Sequence, residues 1–182
     1  MNKSNMETKP LTQPVVLLGM MGAGKTSVGR ALAKILAVPF FDADKEIEAA
    51  AGRSVAAIFS EYGEAEFRRL ERQVIARLLQ GEAGVLSLGG GAFMDAQTRA
   101  CIKDAAFSVW LKVDHALLME RVLRHGGRPL LQDGNPQEKM ARLLAEREPV
   151  YAQADLTVLC DDRPVTQTAR RVWDAMQDHR GA

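Results

Sequence analysis

Val15-Val-Leu-Leu-Gly19-Met-Met-Gly22-Ala23-Gly24-Lys25-Thr26-Ser27-Val28 is the stretch that decides the fold. Four apolar residues run straight into G-x-x-x-x-G-K-S/T, and helical spacing follows, so motif and context agree on a strand, a phosphate-binding loop and a helix. Glycines suit such a loop because its backbone must approach phosphate oxygens closely and turn several N–H groups inward. A helix starting near Lys25 adds the positive end of its dipole. Gly22, Ala23, Gly24 and Ser27 are then expected along a nucleotide's phosphates. Lys25 would place a point charge on the β and γ groups, and the Thr26 hydroxyl would face Mg²⁺.

Outward from this loop, continuous apolar runs at 15–18, 39–41, 84–88, 107–113 and 156–159 predict strands buried on both faces. Between them Val28, Leu32, Ile35 and Leu36 share one helical face, and Phe67, Leu70, Val74, Ile75, Leu78 and Leu79 share another. Strand alternating with helix implies an α/β fold in three layers, a parallel sheet covered by helices on both sides. No repeat or linker divides the chain, so one domain is expected over 15–182, after a polar leader at 1–14 that carries Pro10 and Pro14. The segment at 124–135 holds Gly126, Gly127, Pro129 and Gly134 between two helical patterns and is a candidate lid.

In a parallel sheet the carboxyl ends of the strands share one edge, and several further clusters fall there. Asp42 and Asp44 follow the second strand, where alternation puts both on one side of the extended backbone. Such a pair serves a metal and an acceptor hydroxyl, while the alternative is that one of the two, Asp42 or Asp44, caps a helix starting near Lys45. Arg68 and Glu71 are three apart on a helix. They form either a solvated ion pair or an arginine oriented to receive a carboxylate with two hydrogen bonds. Gly89-Gly90-Gly91 ends the third strand, and close approach to a ligand explains this run better than a bland loop does. Arg121, Arg124 and Arg128 flank or occupy the lid segment, with Arg147 further on. One arginine reaching a transferring phosphoryl group from a closing lid is a common requirement.

Composition narrows the possibilities. The chain has 182 residues, 47% hydrophobic and 26% charged, and 24 Lys plus Arg against 23 Asp plus Glu leave a formal charge of +1. No general field for nucleic acid or membrane arises from that balance. His115, His125 and His179 lack zinc-ligand spacing with Cys101 or Cys160, which argues against a transition-metal site. Two cysteines without a disulfide pattern suit a reducing compartment, and the apolar run after Lys3 and Lys9 is broken by glycines, unlike a signal peptide. The cytoplasm is the expected location. A monomer is the expected state, because no large apolar stripe is left without a core to join.

Taken together these pieces resemble the shikimate kinase family over 15–176. The matching elements are the phosphate loop, Phe41-Asp-Ala-Asp44 with Ile47-Glu48, Gly52-Arg-Ser-Val55, Ile58-Phe59, Gly63-Glu64, Phe67-Arg68-Arg69-Leu70-Glu71, Gly89-Gly90-Gly91-Ala92, Arg128-Pro-Leu-Leu131 and Arg147-Glu-Pro-Val-Tyr151. The resemblance implies transfer of the ATP γ-phosphoryl group to the 3-hydroxyl of shikimate, on the nucleoside monophosphate kinase fold with five parallel strands in the order 2-3-1-4-5. It implies that Asp44 holds the ring hydroxyls and takes the proton. The same likeness implies that Arg68, Arg147 and the glycine run Gly89, Gly90 and Gly91, chiefly the Gly90 amide, bind the carboxylate, with Glu71 orienting Arg68 and with Phe59 and Phe67 near the ring. Asp42 would sit near Mg²⁺ with Thr26, Arg128 would close onto the phosphates, and Arg121 would lie on the nucleotide side. Lys25-Thr26-Ser27 reverses the family's commoner Lys-Ser-Thr but keeps the hydroxyl. The stretch Val158-Leu-Cys-Asp-Asp-Arg163-Pro164 lacks the family's Val-Asp-Thr, so Arg163 is assigned to the adenine by position alone.

Rival readings are distinguishable. Guanine-specific switches carry Asn-Lys-x-Asp, and Leu111-Lys-Val-Asp114 lacks the asparagine. A gluconate-type or nucleoside monophosphate kinase shares the scaffold and differs in the acceptor, whereas a regulatory module would bind ATP without turnover.

Overall fold

The computed structural model describes residues 11–124 and 135–181. Five strands, β1 (Val15–Leu18), β2 (Phe40–Asp42), β3 (Val85–Ser87), β4 (Phe107–Val113) and β5 (Leu156–Cys160), form one parallel sheet in the order β2-β3-β1-β4-β5. That is the architecture expected from the alternation of apolar runs with helical spacing.

Position in the sheet sets how each strand is buried. Central β1 and its neighbour β3 are buried at every residue, and β4 at all but Lys112, because helices cover both faces. Edge strand β5 departs from the expected continuous burial: it alternates, leaving Leu159 64% exposed. The second strand starts one residue later than expected. Pro39 has no N–H to give the ladder, although its carbonyl accepts from Val85 N at 2.9 Å.

Seven helices and a short 3₁₀ turn (Ala92–Met94) complete the described chain: α1 (Lys25–Leu36), α2 (Ala43–Ala51), α3 (Val55–Leu79), α4 (Ala96–Ala105), α5 (His115–Arg124), α6 (Pro136–Tyr151) and α7 (Val165–Gly181). Val28, Leu32 and Leu36 face α1 inward as their spacing predicts. Helix α3 is bent at Gly63, whose φ of 80° and ψ of 175° belong to a region open essentially to glycine alone. Around the sheet lies the main core; Ile47, Ile58, Phe67 and Val74 form a second, smaller one between α2 and α3.

Of the leader, only 11–14 are described: Leu11 packs against the main core, and the Pro14 carbonyl accepts from Phe107 N at 2.9 Å. The candidate lid, apart from Arg124 and Asn135, lies outside the described residues. Among the described residues no helix is long and apolar enough to cross a membrane.

Candidate active site

Every β-to-α connection leaves the sheet at the same edge, so the loop after β1, the start of α2, the glycine run after β3 and the turn after β5 converge there. In the loop after β1 the backbone takes positive φ at Gly19, Gly22 and Gly24. Gly19 also has no room for a side chain, since a Cβ there would lie 2.7 Å from the Leu111 carbonyl oxygen of β4. Lys25 Nζ donates to the Gly19 and Met20 carbonyls, each at 2.9 Å, and so lies across the mouth of the loop. The Thr26 hydroxyl and Ser27 are exposed at the first turn of α1.

Thr26 Oγ1 donates to Asp42 Oδ2 at 2.9 Å, which brings together two hard oxygen groups sixteen residues apart in sequence. Asp42 is also the residue that caps α2, its Oδ1 accepting from Lys45 N at 3.5 Å. Of the two carboxylates, the cap is therefore Asp42, and the helix starts at Ala43, two residues earlier than expected. Because α2 begins at Ala43, Asp44 is presented by the first helical turn rather than by strand alternation.

The end of the cleft beside Asp44 centres on the glycine run, and its three members make room for different groups. A Cβ at Gly89 would lie 2.9 Å from Asp44 Oδ1 and 3.2 Å from Glu71 Oε1. At Gly90 it would lie 3.3 Å from Arg147 Nη1, and at Gly91 2.5 Å from Arg68 Nη2. None of the three has positive φ, so the sequence requires glycine here for space rather than for backbone conformation.

Arg68 Nη1 donates to Glu71 Oε2 at 2.6 Å, and its other nitrogens reach Glu64 at 3.4 Å. Glu71 is only 2% exposed, which excludes the solvated-pair alternative. Burial pushes the Glu71 carboxyl above its ordinary pKa, against the pull of Arg68, and the Asp44 and Asp95 charges push the same way as burial. Burial opposes the Arg68 charge, but the Glu71 and Glu64 carboxylates more than offset it and hold the guanidinium pKa above its ordinary value. The Phe59 and Phe67 rings sit 4.5 Å apart, and the Arg68 guanidinium lies 5.2 Å from the Phe67 ring centre. From α6, Arg147 Nη1 donates to the Gly90 carbonyl at 3.1 Å. Among the described residues, Glu71 Oε1 and Arg147 Nε are buried without a hydrogen-bond partner, so both sides of this pocket hold unspent polar capacity.

A cleft of about 560 Å³ joins the phosphate loop to Asp42, Asp44 and Gly90 at one end and to Arg121 and Arg163 at the other. Arg121 Nη2 donates to the Asp161 carbonyl at 2.7 Å, and its Nη1 is 3.5 Å from the Gly22 carbonyl. The Asp161 carboxylate pairs with Arg163 at 3.1 Å and Arg171 at 3.3 Å. Spacing gave no reason to single out Asp161; only the folded turn after β5 brings these arginines around it. Arg128 lies outside the described residues. Tyr151, whose hydroxyl donates to the Gly90 carbonyl, received no role from the sequence, although its i, i+4 relation to Arg147 places the two on one helical face.

Known proteins resemble this chain along most of its length. The family model described as shikimate kinase matches residues 21–177. A shikimate kinase of Bradyrhizobium diazoefficiens is 50% identical over 165 residues, 91% of this chain and 80% of that protein. One of Cereibacter sphaeroides is 53% identical over 166 residues, 91% and 83% of the respective chains. The solved shikimate kinase of Acinetobacter baumannii in complex with shikimate superposes with a TM-score of 0.86 at 36% identity, over 91% of this chain and 93% of that one. A gluconokinase from Sinorhizobium meliloti, at 18% identity and a TM-score of 0.61, shares the fold alone. The chain belongs to the shikimate kinase family.

Proposed function

We propose that this protein transfers the γ-phosphoryl group of ATP to the 3-hydroxyl of shikimate, giving shikimate 3-phosphate and ADP. One observation carries the reading: Asp44, the Arg68–Glu71 pair, Gly90 and Arg147 converge beside the phosphate-loop cleft. Two guanidinium groups are what a small carboxylate requires, and a carboxylate near the phosphate end is what an acceptor hydroxyl requires.

In this reading Arg68 and Arg147 bind the shikimate carboxylate, the Glu71 contact holds Arg68 in place, and Asp44 aligns the acceptor hydroxyl. The hydroxyl oxygen attacks the γ-phosphorus in line as the bond to the β-phosphate oxygen breaks, and its proton passes to the Asp44 carboxylate. Lys25, together with Arg128 by resemblance, spreads the charge of the transferring group. Little covalent chemistry falls to the protein, so positioning and electrostatics supply the acceleration.

The Thr26–Asp42 oxygen pair fits a hard cation that is held by few protein ligands and mainly by phosphates. Mg²⁺ held there would neutralise the β- and γ-phosphate oxygens. Arg121 and Arg163 line the adenine side, Arg121 being the more firmly held of the two. The free thiols of Cys101 and Cys160 suit a cytoplasmic location.

The test is ADP release from Mg-ATP with shikimate, gluconate and a nucleoside monophosphate offered separately, beside an acceptor-free control. Turnover confined to shikimate is expected. Turnover with gluconate or the nucleotide instead would overturn the acceptor assignment, and ATP binding without transfer to any of them would overturn the kinase reading.

A further inference from the structure

Tyr151 is the largest of the fully buried side chains among the described residues, 1% exposed, and it has no part in the mechanism above. It ends α6 one turn after Arg147, and both side chains reach the same atom. The tyrosine hydroxyl and Arg147 Nη1 donate to the carbonyl oxygen of Gly90. The hydroxyl has a single proton, and Met20 Sδ, 3.9 Å away, is the more distant of its two acceptors. Burial pushes the phenol above its ordinary pKa, against the Arg147 charge, so it remains a donor throughout the neutral range.

A core tyrosine commonly spends its hydroxyl on some backbone carbonyl. The particular carbonyl sets this one apart. It belongs to the middle residue of a run with no side chains to anchor it, and that run is hemmed in by the proposed acceptor-binding groups: Asp44 and Glu71 at Gly89, Arg147 at Gly90, Arg68 at Gly91. Gly90 also borders the phosphate loop, its Cβ position lying 3.9 Å from Gly19 O and Met21 N. The peptide after Gly90 is trans and planar, so fixing its carbonyl fixes the N–H that follows as well.

We infer that Tyr151 is a positioning residue for the acceptor site: with Arg147 it holds the Gly90 carbonyl in one orientation and so fixes the glycine run against which Asp44 and Arg68 are set. This inference rests on the shikimate reading. Its energetic weight is that of one buried neutral hydrogen bond, which acts on the acceptor and not on the nucleotide.

Tyr151→Phe removes the hydroxyl and keeps the ring, whose centre lies 5.9 Å from that of Trp110. The expected result is a rise in KM for shikimate of about five- to tenfold, with KM for ATP within about twofold and kcat within about threefold. Trp110→Phe, which disturbs the packing around the same ring, is expected to lower the melting temperature and leave the shikimate KM unchanged. An unchanged shikimate KM in Tyr151→Phe, an equal rise in both KM values, or an equal rise in Trp110→Phe would each overturn the inference. The unaltered protein assayed in parallel separates the two claims. Failure to phosphorylate shikimate there overturns the functional reading and this one together, whereas turnover there with no change in Tyr151→Phe overturns this one alone.

Discussion

In the proposed function the phosphate loop and the acceptor pocket solve the same problem, holding an anion, in opposite ways. The loop is one continuous stretch whose glycines turn its backbone, with φ positive at Gly19, Gly22 and Gly24 and with Lys25 bonded to the loop's own carbonyls. The pocket is gathered from α2, α3, the glycine run and α6, and its glycines are needed for what packs against them. A loop that uses backbone amides suits any nucleoside triphosphate, while side chains delivered by separate elements select one acceptor. Activity in general should therefore fail at the loop, and acceptor affinity should fail at the pocket.

Lys25→Met breaks that comparison most severely. Its kcat should fall by about 10³-fold while circular dichroism and melting temperature stay near those of the parent, since one charge aimed at the transferring group is lost. Activity close to the parent's would remove the loop from the mechanism.

Arg68→Ala should cost about 2–3 kcal/mol in kcat/KM for shikimate, because the carboxylate loses a partner and Glu71 is left buried and unpaired. KM for ATP should not follow, and steady-state kinetics with each substrate varied in turn checks the split.

Gly91→Ala sharpens the spatial argument. A Cβ only 2.5 Å from Arg68 Nη2 displaces the far end of a flexible side chain, so the fold survives and the guanidinium moves. Shikimate KM should rise on the order of tenfold with melting temperature little changed, because misplacing one binding group is enough. Gly63→Ala should give the reverse pattern. There a Cβ would meet nothing within 4 Å, yet the backbone conformation excludes a side chain, so stability should drop by about 1–3 kcal/mol in denaturant unfolding with a smaller kinetic effect.

The smallest effect concerns pH. The folded-state pKa of Glu71 is raised above 4.5 by burial, so the native protein keeps a proton that the unfolded chain has already released. Relative to Glu71→Gln, the parent's stability should therefore be greatest below the ordinary carboxyl pKa and decline as pH rises through the raised one. A parent that gains stability over the variant across that window would contradict the burial assignment.

The contrast between the two regions also explains what the sequence made legible. The phosphate loop, the parallel sheet and the burial of β1 and β4 followed from contiguous patterns, because local spacing determines them, whereas the strand order came only with the family resemblance. Which of Asp42 and Asp44 caps α2 did not follow, since the residue at which a strand gives way to a helix is a matter of one or two positions that spacing does not resolve. The glycine run is legible as a place of close approach to its backbone, but the groups it accommodates lie 18 to 57 residues away in the chain and meet only in the folded structure. Tyr151 and Asp161 carry no role in the sequence for the same reason: the Gly90 carbonyl lies 61 residues from Tyr151, and Arg121 lies 40 residues from Asp161.

The claim that a carboxylate is the feature the pocket selects is tested most directly by one comparison: kcat/KM for shikimate against that for its primary carboxamide, which keeps the ring and hydroxyls and loses the charge. A fall of about a hundredfold or more is expected for the amide, with KM for ATP unchanged. Equal efficiency on both acceptors would contradict it, and Arg68 and Arg147 would then need another purpose.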